Sequence, residues 1–190
     1  MVFIDVSNPA SPSVISQFSI DGNVNDFTAT GDKLYVITSA SNKDVWIYDI
    51  TNPANPTFVS NNDVANESEG LSIFMQETQT GSTANLLAGS NENELIVVAA
   101  TTTSQMYVRS RLNLGSSIND IICVEGNLAF LSTSNSNKEF VIVNIVNPDN
   151  IVEYASLNFP QQGTGIDFAD NKVFMSVKSN DALRIITSGP

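Results

Sequence analysis

The run Val2-Phe3-Ile4-Asp5-Val6-Ser7-Asn8-Pro9-Ala10-Ser11-Pro12 returns 44 residues later as Trp46-Ile47-Tyr48-Asp49-Ile50-Thr51-Asn52-Pro53-Ala54-Asn55-Pro56. Two degenerate copies follow, Phe140-Val141-Ile142-Val143-Asn144-Ile145-Val146-Asn147-Pro148 and Leu183-Arg184-Ile185-Ile186-Thr187-Ser188-Gly189-Pro190. A marker that recurs over the whole length makes the chain an array. Short apolar runs at a period of about 40 to 45 residues are the signature of propeller blades.

Between the first two markers lies one full unit of four apolar stretches, each bounded by turn residues. Strand a is Asp26-Phe27-Thr28-Ala29; after a Gly31-Asp32 turn, strand b is Leu34-Tyr35-Val36-Ile37-Thr38. Strand c begins at Val45 and ends at Ile50, and strand d is Thr57-Phe58-Val59-Ser60. Strands b and c are continuously apolar instead of alternating, so both of their faces are expected to be covered, as when each blade is sandwiched between two others. The Asn-Pro-x-x-Pro turn stops strand c, because Asn bonds its own backbone and Pro fixes φ near −65°. Its second proline opens strand d, a position tolerable only on an edge.

The template gives strands c and d at residues 2–20, a full unit at 24–64, a divergent unit at about 70–114, a full unit at 118–159 and strands a, b, c at 165–187. The divergent unit lacks the marker. Leu95-Ile96-Val97-Val98 reads as its strand b, and residues 76–93 as an inserted loop or hairpin. The prediction is an all-β chain, a single domain over residues 1–190, forming a β-propeller of four blades with four antiparallel strands each. Pro9 and Pro190 are about four periods apart, too short for six to eight blades. Three arrangements fit this register. The chain is a compact ring in which the N-terminal c and d strands complete the blade begun by C-terminal a and b, a fragment of a larger ring, or one module of a longer or polymeric array.

Composition narrows the function. Eight Lys and Arg against 20 Asp and Glu leave a net charge of −12, which disfavours nucleic acid and anionic lipid. No run of 18 apolar residues predicts membrane insertion. Asn, Ser and Thr form roughly a third of the chain while charged residues are 15%, a balance that suits an extracellular or cell-surface β-protein. Met1 is followed at once by a strand-like run, so either a leader has been removed or the chain is a segment of a longer one. His is absent, removing the commonest general base and metal ligand. The single Cys123 sits in the apolar run Ile121-Ile122-Cys123-Val124 and reads as a small buried hydrophobe.

At this point the chain resembles the LVIVD-repeat β-propeller family, whose repeats end in an apolar run, Asp and an Asn-Pro-Ala-x-Pro turn. Residues 2–12 and 45–56 carry the likeness, with Gly31-Asp32-Lys33-Leu34-Tyr35-Val36 and Gly126-Asn127-Leu128-Ala129-Phe130-Leu131 as a second recognisable piece. Residues 70–114 depart from it. The resemblance implies a propeller found mostly in secreted and surface-attached bacterial or archaeal proteins, without an assigned catalytic activity, and it supplies no active site.

Register supplies the sharpest site. Asp26, Asp120 and Asp167 read as equivalent starts of the innermost strands, with Glu69 near the corresponding place in the divergent blade. Converging on a channel mouth, they would hold a hard cation such as calcium through oxygen ligands. The competing reading is that each Asp accepts hydrogen bonds from nearby backbone amides and fixes the start of its strand. Asn66 heads the one N-x-Ser/Thr sequon, a glycosylation candidate, and Thr101-Thr102-Thr103-Ser104 offers hydroxyls for O-linked sugar or a polar strand edge. Trp46 and Tyr48 serve either inter-blade packing or glycan stacking. The expected function is a non-catalytic structural or interaction module of a surface filament, surface layer or adhesin, with no cofactor and with protein partners, copies of itself or glycans. The alternative is a lactonase-type propeller hydrolase with a channel-mouth metal.

Overall fold

A computed structural model describes residues 1–64, 70–76, 83–90, 92–101, 106–125 and 127–187. The described residues form seventeen β-strands and no helix. In chain order there is a two-stranded sheet, β1 (Val2–Asp5) and β2 (Ser13–Gln17). Three four-stranded antiparallel sheets follow: β3 (Val24–Thr30), β4 (Lys33–Thr38), β5 (Val45–Asp49) and β6 (Thr57–Asn62); β7 (Gly70–Gln76), β8 (Thr83–Ser90), β9 (Glu94–Thr101) and β10 (Met106–Asn113); β11 (Ile118–Val124), β12 (Leu128–Thr133), β13 (Phe140–Asn144) and β14 (Val152–Leu157). A three-stranded sheet of β15 (Gly163–Ala169), β16 (Lys172–Val177) and β17 (Leu183–Thr187) ends the series. Consecutive strands are neighbours throughout, as in blades wound from the inside outward.

The sheets lie face against face, with the innermost strands adjacent in the order β3, β7, β11, β15. The core lies between sheets. Ile37, Val45 and Ile47 meet Leu86, Ile96 and Val98, while Leu87, Leu95 and Val97 meet Ile118, Leu131, Val141 and Val143. Odd and even residues of β9 thus serve two different cores, which explains why Leu95, Ile96, Val97 and Val98 are all fully buried. Trp46 and Tyr48 are buried between β1–β2 and the next sheet, where the Phe18 ring lies tilted 4.7 Å from Tyr48 and Phe3 stacks at 6.2 Å from Phe18.

The three described marker turns repeat one geometry. The Asn8, Asn52 and Asn147 side-chain oxygens accept from the amides of Ala10, Ala54 and Asp149 at 3.1–3.3 Å, and their carbonyls accept from Ser11, Asn55 and Asn150 at 2.9–3.0 Å. Pro12 and Pro56 stand directly before the outer strands β2 and β6. Asp170 (φ 50°) and Asn171 (φ 57°) form the two-residue left-handed link from β15 to β16, the turn that matches strand twist.

Two expectations are corrected. Residues 83–90 are strand β8, making the divergent unit a full four-stranded sheet, and Leu95-Ile96-Val97-Val98 belongs to its third strand, not to strand b. Gly, Ser, Thr and Asn on either side of Leu86-Leu87-Ala88 hid a strand that packing stabilises. Nor do the N-terminal strands complete a C-terminal blade: β15–β16–β17 carries its own third strand, and β1–β2 is a separate sheet whose Phe3 and Phe18 pack on β4 and β5.

Asp49, in the second marker, accepts from the Thr51 amide at 2.9 Å and pairs with Lys33 at 3.0 Å. Hydrogen bonding by Thr51, then by Lys33, lowers its pKa to about 2 from 3.8. A carboxylate depressed in the folded state stabilises it above the unfolded pKa and loses that contribution as pH falls through the folded one. Asp49→Asn, the residue type that Asn144 supplies in the third marker, should therefore lose less stability between pH 4 and pH 2 than the parent does. Urea midpoints across that window test this; identical pH slopes would contradict it.

Candidate functional site

Each innermost strand carries a β-bulge near its start, between Val24 and Asp26, Gly70 and Ser72, Ile118 and Asp120, and Gly163 and Gly165. A bulge adds twist and re-aims side chains. The repeated bulge also fixes equivalence: Asp26 stands opposite Ile37, Asp120 opposite Ser132, and Gly165 opposite Ser176. Asp167 stands opposite Phe174, two residues farther along its strand. Asp26 and Asp120 therefore share a level and Asp167 does not, contrary to the expected register. The shift escaped notice in the sequence because an Asp followed by a large apolar residue occurs in all three strands, while the bulge leaves no residue signature.

The carboxylates act on backbone. Asp26, Asp120 and Asp167 each accept from the amide of the following residue, Phe27, Ile121 and Phe168, at 2.8–2.9 Å. The second oxygen of Asp120 also accepts from the Ile166 amide of the adjacent sheet at 2.9 Å. Beside it, the bulged residue Asn119 donates to the Gly163 carbonyl at 2.6 Å and to the Ser134 hydroxyl at 3.0 Å. A Cβ at Gly163 would lie 3.0 Å from the Glu139 carbonyl and inside the Met175 methyl, so glycine permits this close approach. Asp120 and Asn119 together tie β11 to β15. Among the described residues, no group of three or more His, Cys, Asp or Glu side chains is placed to hold a metal ion. Glu69 and Asn66 lie outside the described residues, as do 102–104 of the Thr/Ser run.

The outer edge has its own bulge in every described third-to-fourth strand pair, and it skips Ile15, Val59, Arg109 and Tyr154. Adjacent to it, the Ser16 hydroxyl donates to the Pro53 carbonyl at 2.6 Å and the equivalent Ser110 to the Pro148 carbonyl at 2.7 Å. The outer strand of one sheet thus holds the marker turn of the next. Arg109 reinforces one such contact with two bonds to Asp149 at 2.7–2.8 Å and a third to Asn85 at 3.2 Å. That guanidinium holds the Asp149 carboxyl below its ordinary pKa.

Two buried carboxylates were missed in the sequence. Asp44 and Glu139 immediately precede the third strands, are 1% and 2% exposed, and accept from the amides of Val64 and Phe159 at 2.8 and 2.6 Å. Both fix the chain just after the fourth strand. An acid at the same offset before two markers was the available signal. Cys123 is partly buried against the core, and burial pushes its thiol up to about 12, well away from a nucleophile's range. An apolar cleft of about 460 Å³ opens between β14 and β17 over Phe130, Phe140, Phe168 and Val173.

No family model and no curated protein matches the chain. Solved structures do match, and they identify the fold as a β-propeller. The computationally designed Ika4 protein aligns with TM-score 0.64 at 11% identity, over 92% of this chain and 96% of that one. The periplasmic gluconolactonase PpgL of Pseudomonas aeruginosa gives 0.79 at 13% identity over 100% of this chain and 59% of its own. The Cps50 (Swd1) β-propeller domain of Myceliophteria thermophila gives 0.70 at 13%, over 99% and 63%. The chain thus spans less than two thirds of either natural propeller.

Asp120→Ala removes the acceptor for two amides in adjoining sheets and should cost about 1.5–3 kcal/mol. Asp167→Ala, at an exposed position and bonded within its own strand, should cost about 0.5 kcal/mol. Equal losses in denaturant titrations would refute the assignment of Asp120 to the joint between sheets.

Proposed function

We propose that the chain is a non-catalytic β-propeller module with a structural and interaction role outside the cell, at a cell surface or in a filament, surface layer or adhesin. The observation that carries this reading is the engagement of Asp120, the best-placed acid of the innermost strands, by backbone amides of two sheets. A carboxylate committed to the joint between blades is poorly placed to supply a reaction or a cation. The absence of His from the sequence and the uncharged polar composition support the same reading. So does the marker turn, whose three described copies share one geometry in keeping with the LVIVD-repeat resemblance.

The competing reading is a lactonase-type hydrolase with calcium at the channel mouth. The gluconolactonase likeness raises it, although at 13% identity that likeness concerns fold alone. Asp26 and Asp120, which share a register level, are the residues it would use.

The proposal predicts no lactone hydrolysis above background with or without calcium, and a thermal melt unchanged by chelator or added calcium. Metal-dependent turnover that disappears in a folded Asp120→Ala variant would overturn it.

A further inference from the structure

We draw no further inference here: the strongest candidate, the apolar cleft between β14 and β17 over Phe130, Phe140, Phe168 and Val173, lies beside the last described strand, and nothing in the structure shows what covers it.

Discussion

The structure depends on one constraint: a sheet that is apolar on both faces is stable only between two others. β9 makes this plain, with Leu95 and Val97 in one core and Ile96 and Val98 in another. At roughly 25 cal/mol per Å² of apolar surface removed from water, such a strand gains from both sides what a half-solvated strand gains from one. The gain arises only after neighbours have docked, so no sheet of the series is an independent folding unit. It also accounts for the uneven burial along the chain, complete over residues 85–90 of β8 and 95–100 of β9 and much reduced in β1, β2 and β17.

Apolar stacking is non-directional, and the polar joints supply the geometry. On the inside, the bulge turns Asn119 and Asp120 toward the next sheet, where they meet the Gly163 carbonyl and the Ile166 amide. On the outside, Ser16 and Ser110 hold the marker turns of the following sheets. Asp44 and Glu139 set the path of the chain as it leaves the outermost strand. The bonds accepted by the carboxylates of Asp120, Asp44 and Glu139 are of the charged kind that contributes about 1.5–3 kcal/mol each, comparable to one core side chain, while the neutral bonds of Asn119, Ser16 and Ser110 contribute about 0.5–1.5 kcal/mol. Of the acids that first suggested ion binding, Asp120 takes part in this task, while Asp26 and Asp167 accept from the next amide of their own strands.

Much of the fold was legible because its signals are local. The Asn-Pro turns after β1, β5 and β13 are read directly from residue type, and the continuous apolar runs of β4 and β5 announce strands covered on both faces. What stayed hidden depends on pairing. β8 is a strand because β7 and β9 flank it, despite the residues around it. The placement of Asp167 two residues beyond the level of Asp120 follows from a bulge, a backbone event without a dedicated side chain. The candidate site was accordingly half legible: Asp26 and Asp120 fell at equivalent places, Asp167 did not, and the buried acids Asp44 and Glu139 were not singled out.

The central claim is that stability comes from sandwiching and therefore falls from the middle of the series to its ends. Native-state amide hydrogen exchange, which resolves opening free energies strand by strand, measures this directly. The account predicts the strongest protection in β8 and β9, with a decline outward to the weakest in β1–β2 and in β17. Uniform protection across all sheets, or β1–β2 protected as strongly as β9, would contradict it.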